Sequence, residues 1–175
     1  MGLDEASQKP HDRLAAWLAA DMDAVNALIR VRMASEHAPR IPEVTAHLVE
    51  AGGKRLRPAL LLMACELFSD DLEGALPAAW AVELFHNFTL LHDDIMDGAE
   101  LRRSAPTASA RWGNSLAVLL GDALFAHALE LSTDFGNALT RKIAHAANDV
   151  CTGEIIQTQR RYDLNLSKET YFKII

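Results

Sequence analysis

Three carboxylates and two arginines stand close together at the end of a long apolar stretch of this sequence. They are Asp93, Asp94, Asp97, Arg102 and Arg103. Asp93 and Asp97 are four residues apart, so on a helix they lie one turn apart and can share a hard cation through their oxygens. Acidic groups at the C-terminal end of a helix oppose its dipole unless a positive charge compensates them. The pattern therefore predicts a metal site in preference to a solvated helix end.

Magnesium is the cation that this arrangement favours. Mg²⁺ binds proteins through one or two carboxylates, keeps several waters and takes further ligands from substrate phosphates. Those phosphates need positive partners, for which the candidates are Arg102, Arg103, Lys54 and Arg57. Such groups can hold diphosphate oxygens through charge-assisted hydrogen bonds. Taken alone, the basic run at 54–57 fits a solvated surface equally well.

His86 lies about two turns before Asp93. At about 100° per residue, His86, Thr89, Asp93 and Asp97 fall within a sector of roughly 80° on a helix. A single histidine on a helix is more often a core residue, but its place on the acidic face favours a donor to a phosphate over a metal ligand. His92 falls on the apolar side of the same helix and is interpreted as structural.

Helices are the elements that must position these groups, because apolar residues recur at three- and four-residue spacing along most of the chain. The predicted helices cover about 11–33, 45–49, 59–68, 74–97, 114–132 and 137–162, with a last one starting near 167. The helix at 59–68 is nearly all apolar and is expected to be buried. We find no strand-like alternation and no repeat, so the predicted class is all-α, with a flexible tail at 1–10 and one helical domain over 11–175.

Composition and charge exclude several classes of protein. The net charge of −7 argues against a nucleic-acid partner. The sequence has no run of about 18 uncharged apolar residues and no leader pattern, so we expect a cytoplasmic protein that does not span a membrane. Cys65 and Cys151 are far apart, each in an apolar helical context, and both are expected to be buried, unpaired thiols.

Three motifs, in order, resemble those of the trans-isoprenyl diphosphate synthases, the polyprenyl synthetase family. Gly52-Gly-Lys-Arg-Leu-Arg-Pro58 is similar to the family's glycine-lysine-arginine motif, and Leu91-His-Asp-Asp-Ile-Met-Asp97 to its first aspartate-rich motif. Leu101-Arg-Arg-Ser-Ala-Pro-Thr107 resembles the arginine pair behind it, with Ser104 where the family usually has glycine. The resemblance covers about residue 11 to the C-terminus. It implies an isoprenoid-synthase-type helical bundle, usually a homodimer.

The resemblance implies condensation of isopentenyl diphosphate with an allylic diphosphate to give a longer trans-polyprenyl diphosphate. The residues implied to hold isopentenyl diphosphate are Lys54, Arg57, His86 and Arg103. The implied catalytic groups are Asp93, Asp94 and Asp97, as ligands of Mg²⁺ that bridges to the allylic diphosphate, and Arg102 on that same diphosphate. They are needed because an allylic C–O bond ionises only when the departing diphosphate is neutralised.

Two features of the resemblance concern product length and disagree. Phe88, five residues before Asp93, stands where the family often has a bulky side chain that stops elongation, which favours a short product. The alternative is that Phe88 only packs in the core. Gly153-Glu-Ile-Ile-Gln157 resembles a Gly-Glu-x-x-Gln variant of a family motif that is associated with members that make longer products. In this resemblance Gln157 is a substrate-binding residue. Product length therefore stays open.

The family's second aspartate-rich motif is expected beyond Ile175. The chain thus resembles an apparently truncated N-terminal portion, expected to be weak or inactive alone and to associate as a homodimer or heteromer. Two alternatives remain, a class I terpene synthase and a non-catalytic partner subunit of a heteromeric prenyl synthase. The basic run and the arginine pair favour elongation over cyclisation, because a cyclase has no second diphosphate to hold.

Overall fold

The structure, a computed structural model, describes Ala19, Asp23, Asn26 and Ala27 and then residues 40–69 and 72–175. In these residues seven helices have full bounds: α1 Arg40–Glu50, α2 Leu56–Glu66, α3 Leu76–Met96, α4 Ala108–Trp112, α5 Asn114–Thr133, α6 Asn137–Gln159 and α7 Lys168–Ile174. The predicted all-α class is confirmed. The predicted tail at 1–10 and most of the predicted helix at 11–33 lie outside the described residues.

Helix α3 is the element that carries most of the candidate site. A single 3-10 turn, Glu73–Ala75, leads into it, and Pro77 lies in its first turn, where a missing N–H costs nothing. The helix ends before Gly98, which adopts a left-handed φ of 63° and donates its N–H to the carbonyl of Ile95. The predicted end near residue 97 is confirmed; Asp93 and Asp94 lie in the last turn, and Asp97 directly follows it.

A short antiparallel hairpin follows α3 and was not predicted. Its strands are β1 Leu101–Arg102 and β2 Ala105–Pro106. The turn residues Arg103 and Ser104 both have positive φ, 53° and 67°. Glycine suits such positions best, which gives a physical reason for the glycine that usually stands at Ser104 in the family. Strands of two residues are too short for the alternation by which strands are recognised.

Contacts at both ends hold the hairpin in place. The Thr107 hydroxyl donates to the carbonyl of Ala99 at 2.7 Å. On the other side, His47 of α1 donates from Nε2 to the carbonyl of Pro106 at 2.8 Å. Thr107 also caps α4, since its Oγ1 accepts the N–H of Ala110 at 3.2 Å. The arginine pair is therefore carried on an anchored turn.

Helix α2 is buried on one face only, so the prediction of a buried helix is wrong for the other face. Pro58, Ala59 and Leu62 are buried. Leu60 is 55% exposed, and Phe68, which the prediction included in the helix, follows its end and is 91% exposed. A helix packed against α3 from one side buries a single stripe, and apolar composition alone does not show which residues lie in that stripe.

The chain divides into two compact units, Met1–Leu131 and Ser132–Ile175, which are described separately. In the first, α3 supplies the core residues Trp80, Leu84 and Leu91, each 1% exposed. Helix α5 adds a buried stripe whose members, up to Leu131, share three- and four-residue spacing: Ala117, Leu120, Leu124, Ala128 and Leu131. The predicted single domain over 11–175 stays a prediction.

Helix α5 crosses α3 closely at Gly121. A Cβ at Gly121 would collide with the ring of His92, so the glycine leaves room for that ring in its present position. His92 thus has the structural position predicted for it. Among the described helices, α5 alone is long and apolar enough to span a membrane. Buried core helices meet the same criteria of length and composition.

In the second unit, α6 and α7 pack against each other. A Cβ at Gly153 would collide with the carbonyl oxygen of Ile174, so Gly153 permits this close approach. Ser167 caps α7, with its Oγ accepting the N–H of Thr170 at 3.1 Å, and the predicted helix start near 167 is confirmed.

The expectation of two buried thiols is wrong for Cys151. Both cysteines are free, but Cys65 is half-buried and Cys151 is exposed on α6. Its neighbour Val150 is also exposed, at 48%. Apolar neighbours in sequence do not determine which face of a helix is covered.

Candidate functional site

The last turn of α3 separates its aspartates by burial. The N–H of Asp97 donates to the carbonyl of Asp93 at 2.9 Å, which places these two residues one turn apart. The Asp93 side chain is 42% exposed and Asp97 is exposed. Asp94 lies about 100° around the helix from Asp93 and is only 5% exposed. The three predicted metal ligands therefore do not share one environment.

Arg102 joins two of these carboxylates. Its Nε donates to Oδ1 of Asp94 at 2.7 Å, and its Nη2 donates to Oδ2 of Asp93 at 3.0 Å. Arg102 thus supplies the positive charge that acids at a helix C-terminus require. The prediction placed Arg102 on a diphosphate, whereas in this structure two of its nitrogens bind aspartates.

Burial of Asp94 changes its acidity. Loss of solvent raises the pKa of Asp94 above its ordinary value, and the nearby charges of Asp93 and Asp97 act in the same direction. The hydrogen bond and the charge of Arg102 oppose this rise without cancelling it. Burial and pairing favour Asp94 as the group that orients Arg102, and its role as a metal ligand stays a prediction.

Within the described part of the chain, no three His, Cys, Asp or Glu side chains are placed together as metal ligands. The donor chemistry of Asp93 and Asp97 nevertheless fits Mg²⁺, because carboxylate oxygens are its preferred protein ligands and one or two are enough. The negative end of the α3 dipole also favours a cation there. Magnesium at this turn stays a prediction, with Asp93 and Asp97 as the groups that would hold it.

The four residues predicted to hold the second diphosphate surround one cavity of about 560 Å³. They are Lys54, Arg57, His86 and Arg103. They come from three places in the chain: the turn before α2 and its first residues, the middle of α3, and the turn of the hairpin. The positive charges of Lys54, Arg57 and Arg103 around one open cavity make it suited to an anion such as diphosphate.

His86 is neutral in this cavity. Burial is the largest cause that lowers its pKa, to about 4, and the charges of Arg57 and Arg103 lower it further. Arg57 Nη1 donates to His86 Nε2 at 3.3 Å, which makes that nitrogen the acceptor and leaves Nδ1 as the N–H donor. A neutral histidine with one donor agrees with the predicted role of a donor to phosphate.

Arg103 closes the cavity from the hairpin side. Its Nη1 donates to the carbonyl of Gly52. Gly53 has a φ of +146°, and a Cβ there would collide with the guanidinium groups of Arg103 and Arg55. Glycine at position 53 therefore allows the two guanidinium groups to lie against the backbone.

Arg55 and Glu83 are residues of this cavity that sequence reasoning missed. Arg55 lies in the basic run but is only 6% exposed, and its Nη1 donates to Oε1 of Glu83 at 2.9 Å. Glu83 is 2% exposed and also accepts a hydrogen bond from Nδ2 of Asn87 at 3.1 Å. A signal was available, since a glutamate in an apolar helix requires a buried partner.

The two residues linked to product length lie in different units. Phe88 of α3 is half-buried and stacks on Phe125 of α5, with ring centroids 4.9 Å apart and an angle of 25°. Phe85 and His92 also contact its ring. Gln157 is exposed on α6 of the second unit.

Comparison with known proteins finds relatives of this chain. A sequence profile of the polyprenyl synthetase family matches residues 38–175. Heptaprenyl diphosphate synthase component 2 of Geobacillus stearothermophilus is 38% identical over 161 residues, which are 91% of this chain and 50% of that protein. The chain spans about half the length of the curated relatives it matches.

Solved structures show the same fold. The decaprenyl diphosphate synthase from Rhodobacter capsulatus superposes with a TM-score of 0.84 at 49% identity, over 95% of this chain and 51% of that one. A polyprenyl synthase from Caulobacter crescentus, solved with calcium and isoprenyl diphosphate, gives a TM-score of 0.84 at 44% identity, over 94% of this chain and 50% of that one.

We predict that the pKa of His86, about 4 in the ligand-free protein, rises when inorganic diphosphate binds without metal. A bound anion offsets the repulsion by Arg57 and Arg103 that lowers the pKa. The variant Arg57→Gln should raise the pKa of His86 without any anion. NMR titration of the His86 ring protons measures both effects, and a His86 that titrates at its ordinary value in the ligand-free protein would contradict the described cavity.

Proposed function

Because the chain belongs to the polyprenyl synthetase family, we propose that it carries the N-terminal portion of a magnesium-dependent prenyltransferase. The enzyme condenses isopentenyl diphosphate with an allylic diphosphate and releases a trans-polyprenyl diphosphate five carbons longer. The observation that supports this most is the meeting of Lys54, Arg57, His86 and Arg103 around one cavity. That cavity is separate from the acidic turn at the end of α3, as an enzyme with two diphosphate substrates requires.

Isopentenyl diphosphate occupies the cavity that Arg57 and Arg103 line. Their guanidinium groups, with the ammonium group of Lys54, offset the charge of the diphosphate through charge-assisted hydrogen bonds. His86, whose Nε2 accepts from Arg57, adds its Nδ1–H as one further donor to a phosphate oxygen. These groups hold the nucleophilic double bond in place without taking part in the bond that forms.

The allylic diphosphate binds at the end of α3. Asp93 and Asp97 would hold Mg²⁺ here, and the ion would supply positive charge to stabilise the departing diphosphate when the allylic C–O bond ionises. Arg102, already held by Asp94 at 2.7 Å, adds a guanidinium charge on the same side. The isopentenyl double bond attacks the allylic cation, and loss of one proton completes the product.

Two other functions use part of the same site. A class I terpene synthase also ionises a diphosphate at an aspartate-rich helix, but it has no second diphosphate for the cavity around Arg57. A non-catalytic partner subunit is the other alternative. The relative from Geobacillus stearothermophilus is named as component 2 of its synthase, and the exposed apolar residues of α2, such as Leu60, support contact with another chain in a homodimer or heteromer.

The two anion sites should respond to different substitutions. Without metal, Arg57→Gln should weaken binding of inorganic diphosphate about tenfold or more, the loss of a charge-assisted hydrogen bond, whereas Asp97→Asn should leave it unchanged. With Mg²⁺ present, a second binding event should appear and be lost in Asp97→Asn. Isothermal titration calorimetry measures both, with the exposed Arg141→Gln and Asp134→Asn as matched controls. Equal losses in Arg57→Gln and Asp97→Asn under both conditions would contradict two sites.

Turnover tests the whole proposal. The chain, by itself and joined to the second half of the decaprenyl diphosphate synthase from Rhodobacter capsulatus, is incubated with Mg²⁺, isopentenyl diphosphate and a series of allylic primers. We expect the joined protein to give products longer by five-carbon units in mass spectra. A cyclic hydrocarbon formed from the allylic diphosphate alone would favour a terpene synthase. Diphosphate binding without any turnover would favour the partner subunit.

Phe88→Ala should lengthen the products of the joined protein. The growing chain extends from the acidic turn along the apolar side of α3, and the stacked rings of Phe88 and Phe125 obstruct it. The matched control is Phe85→Ala, which removes a ring of the same cluster one turn further from Asp93. If the product lengths of Phe88→Ala and the parent protein agree, Phe88 is a packing residue only.

A further inference from the structure

We propose that Glu83 is a positioning residue for the basic cavity and acts through Arg55 on Arg103. This inference rests on the proposed function, because it assigns a role within the cavity described above for isopentenyl diphosphate. Glu83 is 2% exposed, and its charge would repel a diphosphate, so it is not itself a ligand. Its effect on an anion passes through the guanidinium groups that it orients.

The side chain of Arg55 points in a different direction from those of its basic neighbours Lys54 and Arg57. Its backbone is left-handed, with a φ of 46° and a ψ of 33°, and it directly precedes the first residue of α2. This conformation turns the Arg55 side chain into the protein, whereas Lys54 and Arg57 are exposed at the cavity. A left-handed conformation is unfavourable for a residue with a Cβ, so strong contacts must hold it.

Hydrogen bonds to Glu83, Gly52 and Asn26 hold the Arg55 guanidinium. Nη1 donates to Oε1 of Glu83 at 2.9 Å and to the carbonyl of Gly52 at 3.4 Å, and Nε donates to Oδ1 of Asn26 at 3.3 Å. Asn87, one turn after Glu83, donates from Nδ2 both to the Glu83 carbonyl at 2.7 Å and to Oε1 at 3.1 Å. Glu83 is therefore fixed on α3, and it fixes Arg55.

The carbonyl of Gly52 connects this pair to the cavity. It accepts hydrogen bonds from Nη1 of Arg55 and from Nη1 of Arg103. The orientation of that peptide group, which depends on Arg55, thus determines where Arg103 can rest. Glu83 therefore acts on a bound anion by a route of two guanidinium groups, those of Arg55 and Arg103, which both donate to the carbonyl oxygen of Gly52.

Stability alone is a weak explanation for the buried pair. Taking two charges out of water costs free energy that their attraction only partly returns, and apolar side chains of similar size often stabilise a fold equally well. Arg55 and Glu83 also cancel each other's charge, so the pair adds little to the attraction for an anion. The Arg55–Glu83 pair instead orients the turn at 52–55.

A double-mutant cycle tests the route. Metal-free inorganic diphosphate is titrated into the full chain and into Glu83→Gln, Arg103→Gln and their combination, with the exposed Glu66→Gln as the matched control. Glu83→Gln should weaken binding about tenfold, and the combination should bind no more weakly than Arg103→Gln. Losses that multiply in the combination, or undiminished binding by Glu83→Gln, would overturn the proposal.

The folded state needs its own check, because removing one charge from a buried pair is strongly destabilising. If Glu83→Gln does not fold, Arg55→Gln combined with Glu83→Gln leaves no unpaired charge and replaces it in the cycle. A cooperative thermal unfolding transition then shows that this double variant is folded. We expect this variant to fold and still to bind diphosphate weakly. Binding at the strength of the parent chain would show that the pair serves stability only.

Amide hydrogen exchange separates this inference from the proposed function. In the ligand-free chain, Glu83→Gln should speed exchange of the amides at 53–57 and leave the centre of α3 unchanged. If the parent chain binds no diphosphate, the proposed function fails, yet the exchange comparison still decides whether Glu83 orients the turn. Equal exchange at 53–57 in the parent chain and Glu83→Gln would overturn the inference.

Discussion

Carboxylates on α3 hold two arginines from other segments, Arg55 before α2 and Arg102 on β1, and the candidate site depends on this pairing. Glu83 binds Arg55 at 2.9 Å near the middle of the helix, and Asp94 binds Arg102 at 2.7 Å near its end. Both carboxylates are buried, so each interaction is screened little by water. Helix α3 therefore helps to set the positions of the turn before α2 and of the hairpin.

The hairpin turn places two neighbouring arginines in two different sites. Arg102 ends β1 and points to the aspartates, whereas Arg103 has a φ of 53° and reaches the carbonyl of Gly52. Adjacent side chains on a strand already point in opposite directions, and the left-handed conformation continues the separation. Two neighbouring residues in sequence thus serve the acidic turn and the basic cavity, and the short hairpin keeps the two sites side by side.

Periodicity and glycine signals were enough to predict most helices, including the end of α3 near residue 97. The four residues around the basic cavity were predicted from residue type and from the family resemblance. The sequence could not show in which direction each side chain points. Arg55 and Arg57 look alike in a basic run, and only the left-handed backbone turns the Arg55 side chain inward. Likewise, adjacent aspartates gave no sign that Asp94 would be buried on Arg102 while Asp93 stayed half-exposed.

Arg102 connects metal binding to substrate binding under the proposed function. Asp93 accepts from Arg102 at 3.0 Å, so Mg²⁺ held by Asp93 and Asp97 would compete with Arg102 for one carboxylate. The bond from Nε to the buried Asp94 is shorter, at 2.7 Å, and lies away from the exposed face. If a cation took the Asp93 oxygen from Nη2, Asp94 would still hold the Arg102 guanidinium at this turn through Nε. Nη2 would then be available to a phosphate oxygen, which gives the buried Asp94 a role distinct from that of the more exposed Asp93 and Asp97.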